Sequence, residues 1–486
     1  MKYTEVKNFI NGKFIDTNNR KMDVCSPLTG QVISTVPLST SNDVNMAVEA
    51  AWNAFPNWSG LTSKKRSEVL YRYRSIVEKN KESIASLIHN EHGKTMNEAK
   101  AEVEKSIELT EFACSIPQIT AGEILKVSDG VVCQTNYVPL GVVASICPFN
   151  FPHMVPHWTI PNIIALGNCV ILKSSEQVPL TACKIAEMFK EAGLPDGVLN
   201  IVNGDKEIVE AICDHPEIKA ISFVGSTEVA QIVYRRATNN LKRCLTLGGA
   251  KNHLLVFPDA NLEMTAADIC ASFTGTAGQR CMAASVMVAV GDVSHIIKKL
   301  CEETGKVIPG LNLGPIISIE SRQNIINYID EAEKRGAKIL VDGRKTRIDD
   351  NCDKNGYYIG PTIIDYPDPK IKMPQHEVFG PVFEIVHAND MNEAIKLENE
   401  SPYGNAASAF TQKGGIASEV TQRVSAGMTG VNIGVPVPRE PFSFGGWNDS
   451  KFGAGDLTGK GGIEFWTQLK KITTKWEKQE KTNWMS

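Results

Sequence analysis

Apolar and polar positions in the first quarter of the chain follow a helical period after a short hairpin signal. Residues 9–14 carry Asn11-Gly12 between apolar neighbours, a dipeptide that favours a two-residue hairpin turn. Apolar residues then recur at helical spacing over residues 41–90 and again over 97–113. The pattern therefore predicts a hairpin followed by a group of N-terminal helices.

The middle of the chain alternates short apolar runs with helical stretches. Apolar runs that predict strands lie at 141–147, 169–172, 197–202, 220–224, 254–257 and 286–290. Stretches that predict helices lie at 158–166, 180–192, 208–214 and from 262 to about 273. Alternation of this kind is typical of βαβ units and a parallel, doubly wound sheet, so the fold class is α/β, with a second α/β domain after Gly248-Gly249. Residues 444–462 are predicted to be a loop, and residues 464–476 a final strand.

Composition limits the possible function classes. The chain has 486 residues, of which 42% are hydrophobic and 22% charged, as expected for a globular protein of two or three domains. The formal net charge is −4, and the lysine-rich stretch 470–481 is interpreted as a solvated end. Nucleic acid and membranes are therefore not expected partners.

The N-terminus and the cysteines indicate the compartment. No apolar h-region is present at the N-terminus, and no apolar run is long enough to cross a bilayer. The twelve cysteines lack CxxC pairs, and the nine histidines lack HxH or HxxxH spacings beside cysteines. We therefore expect reduced thiols, a cytoplasmic location and no metal site.

Two polar clusters follow apolar runs directly. In one, Gly225 turns the chain and Ser226 or Thr227 can cap a helix whose free N–H groups suit a phosphate, although a plain βα turn has the same pattern. The usual GxGxxG pattern is absent. In the other, Lys173 and Glu176 stand where a ribose binds in open α/β sheets, or they form a surface ion pair.

A third pair of segments suggests nucleophilic chemistry. Cys281 follows Arg280, which predicts a lowered thiol pKa, although a lone cysteine is usually structural. Asn150 lies between two prolines, and its amide suits a developing oxyanion, although a Pro-bounded turn is the simpler interpretation. No single motif decides between these alternatives.

Taken together and in order, the motifs resemble the aldehyde dehydrogenase superfamily over almost the whole chain. They are PFNFP at 148–152, LKSSE at 172–176, FVGSTEV at 223–229, LGGAKNH at 247–253, GQRCMA at 278–283, EVFGPV at 377–382 and FSFGGWNDSKFG at 442–453. The resemblance implies the aldehyde dehydrogenase fold, with a Rossmann-like NAD-binding domain, an α/β catalytic domain and a β-stranded oligomerisation arm. The implied ranges are 1–119 and 139–249 for the NAD-binding domain, 250–432 for the catalytic domain, 120–138 and 464–486 for the arm, and 433–463 for a loop region returning toward the NAD-binding domain.

The resemblance also implies a reaction and its residues. Cys281 attacks the aldehyde, Asn150 and the Cys281 backbone N–H hold the oxyanion, and hydride transfer to NAD leaves a thioester on Cys281. The residues implied for cofactor binding are Phe149, Lys173, Glu176, Gly225, Ser226, Gly248, Glu377 and Phe379. Glu176 near the ribose favours NAD over NADP because it repels a 2′-phosphate.

Two departures from the common pattern bear on how the thioester is resolved. Thr246 stands where hydrolytic members carry a glutamate base, and Gln468 stands where many carry a second glutamate. A hydroxyl does not accept a proton near pH 7, so attack by water should be slow. The chain resembles the subfamily of CoA-acylating methylmalonate-semialdehyde (malonate-semialdehyde) dehydrogenases in PFNFP, GQRCMA, NIGVPVP at 432–438 and FWTQLKKIT at 465–473.

That resemblance implies a substrate. Arg280, Lys105 and Phe151 are the implied substrate residues, with the two cations facing the carboxylate of malonate or methylmalonate semialdehyde. Transfer to coenzyme A would give acetyl-CoA or propionyl-CoA with loss of carbon dioxide. The alternatives are a hydrolytic aldehyde dehydrogenase acting on another aldehyde, a non-catalytic protein on the same scaffold and, for Arg280, a structural cation. A homodimer or homotetramer is expected from the resemblance.

Overall fold

The structure is a computed structural model that describes residues 1–17 and 20–476. Its helices are α1 (Ser41–Ser59), α2 (Ser63–Lys79), α3 (Lys81–His92), α4 (Met96–Cys114), α5 (Ile116–Ile119), α6 (Met154–Ala165), α7 (Pro179–Glu191), α8 (Lys206–Asp214), α9 (Thr227–Asn239), α10 (Leu262–Thr274), α11 (Ser294–Thr304), α12 (Ile319–Lys334), α13 (Met391–Asn399), α14 (Gly414–Arg423) and α15 (Gly459–Phe465). Short 3₁₀ turns occupy Gly275–Gly278 and Gly343–Lys345.

The strands follow the same chain order. They are β1 (Asn8–Ile10), β2 (Lys13–Ile15), β3 (Lys21–Cys25), β4 (Val32–Pro37), β5 (Ile124–Ser128), β6 (Val131–Pro139), β7 (Val142–Ile146), β8 (Cys169–Lys173), β9 (Leu199–Ile201), β10 (Ile218–Val224), β11 (Arg243–Leu247), β12 (Asn252–Val256), β13 (Ala284–Val290), β14 (Lys338–Val341), β15 (Thr362–Tyr366), β16 (Val382–Ala388), β17 (Tyr403–Gly404), β18 (Ala406–Phe410), β19 (Met428–Val431), β20 (Trp447–Asn448), β21 (Lys451–Phe452) and β22 (Thr467–Lys475).

The first sheet has the strand order β2-β1-β9-β8-β7-β10-β11-β21. Its five central strands, β9, β8, β7, β10 and β11, pair in parallel with their neighbours in this group. The strands at the two edges, β1 with β2 on one side and β21 on the other, pair antiparallel. Strands β7 and β8 are buried along their whole length, which explains why they are continuous apolar runs without polar alternation. Helices pack on this sheet, including α1 and α6 on β8.

The second sheet is built from later segments and has the order β14-β15-β16-β13-β12-β18-β19. All of its pairs are parallel except β14 with β15. Strand β13, for example, runs beside β12 with Leu254 opposite Met287. Separate clusters of buried apolar side chains lie around this sheet and around the first sheet.

A third, antiparallel sheet joins segments from distant parts of the chain. Strand β22 pairs with β6 over nine residues from Thr467 opposite Pro139 to Lys475 opposite Val131, and β6 also pairs with β5. Every residue of β5 is exposed, including Ile124, Leu125 and Val127. The predicted arm extends to residue 486, and its residues 477–486 lie outside the described part.

Most of the predicted elements are confirmed, and the differences are concentrated in the C-terminal region. The Asn11-Gly12 hairpin forms between β1 and β2, and Asn11 takes the positive φ of 50° that this turn requires. Residues 41–90 form three helices, α1 to α3. The prediction of a strand from residue 464 is wrong, because helix α15 continues to Phe465, with Ile463 and Phe465 on its buried side, and β22 begins only at Thr467. The predicted loop 444–462 also contains β20, β21 and the start of α15.

Within residues 1–17 and 20–476, none of the helices has both the length and the apolar character that a membrane span needs.

Candidate active site

A cavity of about 640 Å³ lies where the two large sheets face each other. From the first sheet it takes residues that follow the carboxyl ends of parallel strands, such as Gly225 after β10 and Gly248 after β11. From the second sheet it takes residues that precede strands, such as Cys281 before β13 and Glu377 before β16. The motifs that are far apart in sequence therefore meet at one place.

Cys281 lies in a tight segment between α10 and β13. Thr276 and Ala277 have positive φ angles of 56° and 53°, which are unusual for residues other than glycine. A Cβ on Gly278 would lie 2.1 Å from the carbonyl oxygen of Gly380, so only glycine fits there. Backbone strain of this kind is stored mainly at functional sites.

The carbonyl group of Cys281 is held by two asparagine amides from other segments. Nδ2 of Asn252 donates to it at 2.8 Å and Nδ2 of Asn405 at 2.9 Å. Asn252 opens β12 and Asn405 precedes β18, the strand next to β12. Sequence reasoning missed both as site residues, although Asn252 lies inside the quoted segment 247–253.

The predicted low pKa of the Cys281 thiol is wrong for this state of the protein. Burial raises the pKa of Cys281 to about 12, and the charge of Glu377 adds to the increase. Arg280 lowers the pKa, but by less than burial raises it. The thiol is therefore neutral here, because the walls of the cavity remove the water that would solvate a thiolate.

Asn150 lies beside the cysteine segment, as an oxyanion donor should. It is buried, and its Nδ2 donates to the carbonyl oxygen of Gln279 at 3.0 Å. Gln279 in turn accepts at its side-chain oxygen from the N–H of Ile317 at 2.9 Å. The amide of Asn150 and the residues next to Cys281 therefore share one hydrogen-bonded unit.

The Pro148–Pro152 loop that carries Asn150 rests on a buried ion pair. Lys94 and Glu102 form this pair with both side chains fully buried. The other oxygen of Glu102 accepts from the N–H groups of His153 at 2.8 Å and Met154 at 3.0 Å, at the start of α6. The Lys94 ammonium lies 3.5 Å from the centroid of the Phe151 ring, so a cation–π contact also stabilises the position of Phe151.

Glu377 stands against the turn that follows β11. Its Oε1 accepts from the N–H of Ala250 at 3.0 Å, and a Cβ on Gly249 would lie 2.5 Å from its Oε2. Burial raises the pKa of Glu377 to about 7. Gly248 is equally crowded, since a Cβ there would lie 2.8 Å from Oγ1 of Thr227. These two glycines leave space that any larger residue would fill.

The turn after β10 offers free backbone donors. Ser226 is the N-cap of the 13-residue helix α9, but its side chain makes no capping hydrogen bond. Thr227 is engaged elsewhere, because its Oγ1 accepts from the N–H of Gly249 at 2.9 Å. The first N–H groups of α9 therefore remain available for an anion beside Gly225 and Ser226.

Lys173 and Glu176 form an ion pair at the carboxyl end of β8. Nζ of Lys173 lies 2.7 Å from Oε2 of Glu176, and the lysine is buried while the glutamate is partly exposed. Like Gly225, they lie at the carboxyl ends of the parallel strands of the first sheet, but they do not line the 640 Å³ cavity.

Two phenylalanines meet at the cavity wall. The rings of Phe149 and Phe379 pack edge to face with centroids 5.9 Å apart. Phe379 has a positive φ of 52°, which turns its side chain relative to the following strand β16. Both line the cavity together with Phe151.

The two cations predicted for a substrate carboxylate both line the cavity, but they have different partners. Nη2 of Arg280 donates to the carbonyl oxygen of Ser272 at 2.9 Å, and its buried Nε has no hydrogen-bond partner among the described residues. Burial lowers the pKa of Arg280, and the charge of Glu98 opposes this decrease. Lys105 is already paired with the carboxylates of Glu108 and Glu440.

The two positions that depart from the hydrolytic pattern lie in different surroundings. Thr246 is fully buried in β11, and in the described part of the chain its hydroxyl has no hydrogen-bond partner. Gln468 is exposed on β22, opposite Val138, and does not line the cavity. Of the two, only Thr246 belongs to a strand that ends at the site.

Comparison with known proteins agrees with these features. The sequence model of the "Aldehyde dehydrogenase family" matches residues 14–472. Malonate-semialdehyde dehydrogenase 2 of Bacillus thuringiensis (strain Al Hakam) is 43% identical over 482 residues, which cover 97% of this chain and 98% of that protein.

Solved structures show the same similarity in three dimensions. The methylmalonate-semialdehyde dehydrogenase of Oceanimonas doudoroffii matches with a TM-score of 0.95 and 39% identity, covering 98% of this chain and 99% of that chain. A Sinorhizobium meliloti 1021 protein crystallised with NAD matches with a TM-score of 0.95 and 38% identity, over the same shares of the two chains.

Proposed function

The chain belongs to the aldehyde dehydrogenase family, and we propose that it oxidises malonate or methylmalonate semialdehyde with NAD and transfers the acyl group to coenzyme A. The observation that carries the proposal is the meeting of Cys281, Asn150 and Glu377 in one cavity. The similar proteins named as malonate- and methylmalonate-semialdehyde dehydrogenases support the choice of substrate.

The first half-reaction uses the residues of the cysteine segment. The sulfur of Cys281 loses its proton and attacks the aldehyde carbon, giving a thiohemiacetal. The Asn150 amide and the Cys281 N–H stabilise the oxyanion, and fixed donors of this kind contribute a few kcal/mol in acyl-transfer sites. Bound NAD would supply the acceptor for the hydride that leaves the thiohemiacetal carbon, so that the acyl group remains on Cys281 as a thioester.

The residues on the opposite wall fit a dinucleotide. Free N–H groups at the start of α9, beside Gly225 and Ser226, suit the pyrophosphate, and Gly248 leaves room for it. Glu377 and Phe379 would position the nicotinamide ribose and ring, with Phe149 packed beside them. Lys173 and Glu176 would bind the adenosine ribose, where the carboxylate disfavours a 2′-phosphate.

The second half-reaction depends on the absence of a carboxylate base at position 246, where this chain has Thr246. A buried, unpartnered hydroxyl does not act as a base near pH 7, so water is poorly activated against the thioester. The thiolate of coenzyme A is a stronger nucleophile and takes the acyl group. Loss of carbon dioxide from the carboxylated acyl group, with uptake of a proton at the carbon that carried the carboxylate, gives acetyl-CoA or propionyl-CoA.

Product analysis with and without coenzyme A tests this function. With malonate semialdehyde and NAD, we expect steady NADH formation and acetyl-CoA when coenzyme A is present, and a single turnover that leaves an acyl group on Cys281 when it is absent. Equal steady rates in both cases, with a free acid as product, would instead support the hydrolytic alternative. No NADH formation with any aldehyde would support a non-catalytic role.

Domain boundaries, assembly and location complete the proposal. We propose the NAD-binding domain at 1–119 and 139–249, the catalytic domain at 250–432 and the arm at 120–138 and 464–486. The exposed apolar residues of β5 support burial of the arm in a homodimer or homotetramer. The cysteines in the described residues are all free, which supports a cytoplasmic location.

A further inference from the structure

Four charged residues form an alternating cluster at one end of the cavity. Nζ of Lys105, on α4, lies 2.8 Å from Oε2 of Glu440 and 3.2 Å from Oε2 of Glu108. Oε1 of Glu108 lies 3.3 Å from Nη1 of Arg439. Two cations and two anions alternate, so the cluster has no net charge. Lys105, Arg439 and Glu440 line the cavity.

Glu440 is the member of this cluster that is most withdrawn from water. Its side chain is 11% exposed, compared with 21% for Lys105 and 43% for Glu108. Attraction between charges strengthens as water is excluded, so the Lys105–Glu440 contact is the stronger of the two that Lys105 makes. The ammonium is therefore already neutralised by a carboxylate of the protein itself.

Arg280 differs from Lys105 in this respect. Within residues 1–17 and 20–476, Arg280 forms no ion pair; it donates to the neutral carbonyl oxygen of Ser272, and Glu98 acts on its charge without forming an ion pair. Its charge is therefore not balanced by a contacting carboxylate. An anionic substrate that enters the cavity meets one cation without a carboxylate partner and one cation that is already paired.

We propose that Glu440 is a specificity-determining residue that competes with the substrate carboxylate for Lys105. In this arrangement Arg280 provides most of the attraction for the carboxylate, and Glu440 weakens the contribution of Lys105. Glu440 thereby sets how strongly the enzyme prefers a carboxylated aldehyde to a neutral one of the same length. This inference rests on the proposed function only for the identity of the aldehyde.

The first test is Glu440→Gln, which keeps the shape of the side chain and removes its charge. With NAD and coenzyme A saturating, kcat/KM is measured for malonate semialdehyde and for propanal. We expect the ratio of the two values to rise about three- to tenfold, mainly through KM of the carboxylated aldehyde. Glu187→Gln removes a carboxylate from an i,i+3 pair with Lys184 outside the cavity, and should leave the ratio unchanged.

A second readout does not depend on the proposed substrate. The probe is 3-hydroxypropionate, which carries an alcohol where malonate semialdehyde carries the aldehyde, used as an inhibitor of propanal oxidation. Glu440→Gln should lower its inhibition constant about three- to tenfold, and the gain should disappear when Lys105→Gln is added. An unchanged or raised constant, or a gain that survives Lys105→Gln, would overturn the role of Glu440.

Lys105→Gln alone covers the case in which Glu440→Gln does not fold. A lysine that is already neutralised contributes little, so its loss should raise the inhibition constant less than about threefold, whereas about tenfold or more would overturn the proposal. A wild-type enzyme that oxidises propanal but not malonate semialdehyde would contradict the proposed substrate. The inhibition constants would still decide the role of Glu440.

Discussion

Helix α4 contributes to two lysine–glutamate pairs with opposite properties. Glu102 faces inward and pairs with Lys94, and neither side chain is exposed to water. Lys105, one turn further along, faces the cavity and pairs with Glu440, where both side chains keep some exposure. The same two residue types therefore occur in two settings. We call the fully buried Lys94–Glu102 pair the sealed pair, and the partly exposed group of Lys105, Glu108, Arg439 and Glu440 the open cluster.

The two pairs differ in the other groups that their charged side chains contact. Glu102 also accepts two backbone N–H groups at the start of α6, and Lys94 lies over the Phe151 ring. The buried charges are thus compensated, which burial requires. Lys105 contacts two carboxylates in a cavity that admits ligands, so its partners are exchangeable. The surroundings of an ion pair, more than its residue types, decide whether it supports the fold or recognises a ligand.

The largest effect is expected from breaking the sealed pair. Glu102→Gln leaves the Lys94 ammonium buried without an opposite charge, and should lower the free energy of unfolding by about 3–5 kcal/mol. Denaturant unfolding measures the loss. The matched control is Glu104→Gln, on the same helix, where the partly exposed pair with Lys81 is lost. The control should cost less than about 1 kcal/mol, and equal losses would contradict the distinction between the two kinds of pair.

The next effect tests the residue that the sealed pair supports. Asn150→Ala removes the proposed oxyanion donor and should lower kcat about 10²- to 10³-fold, with a smaller change in KM. Steady-state NADH formation with an aldehyde and coenzyme A measures it. Asn150→Asp keeps the size but loses the donor, so it should be equally impaired. An active aspartate variant would show that Asn150 acts through packing and not through its N–H group.

A third prediction concerns Glu377, which has no contacting cation within residues 1–17 and 20–476. The pKa of Glu377 is raised to about 7 by burial, so between pH 5 and 7 the folded protein holds a proton that the unfolded chain releases. Its contribution to stability is therefore full below the unfolded pKa and is lost as the pH rises through 7. Glu377→Gln should raise the unfolding free energy relative to wild type by about 1–2 kcal/mol more at pH 8 than at pH 5.

Denaturant unfolding of wild type and Glu377→Gln at both pH values measures that difference. Burial also raises the pKa values of Glu91 and Glu398 to about 7, so the wild type itself should lose stability over the same pH range. A difference between the two proteins that does not vary with pH would contradict the assignment to Glu377.

The smallest effect is expected at the exposed end of the open cluster. Glu108 is 43% exposed and shares its charge between Lys105 and Arg439. Glu108→Gln should change the unfolding free energy by less than about 1 kcal/mol, and should shift aldehyde preference less than Glu440→Gln does. Added salt should shrink both changes. A larger shift than that of Glu440→Gln would reverse the order of importance inferred from exposure.

The order of motifs along the chain was sufficient to predict the family and most of the elements near the site. The apolar runs at 141–147 and 169–172 correspond to β7 and β8, whose two faces are both buried, and this leaves a pattern that can be recognised locally. The asparagines that hold the Cys281 carbonyl were missed, because Asn405 comes from a turn 124 residues later and has no local signal. The start of the last strand was missed because Ile463 and Phe465 are apolar in either conformation.

The sequence by itself determined the residue types that carry the chemistry, since a thiol, an amide and a carboxylate in these segments suit thioester formation. Only the tertiary structure decided their electrostatic state. Arg280 beside Cys281 suggested a low thiol pKa, but packing from both sheets excludes water and raises it. Lys105 looked like a free cation until the fold brought Glu440 to it from 335 residues away. Solvation and long-range contacts come from the assembled fold, and a linear pattern does not contain them.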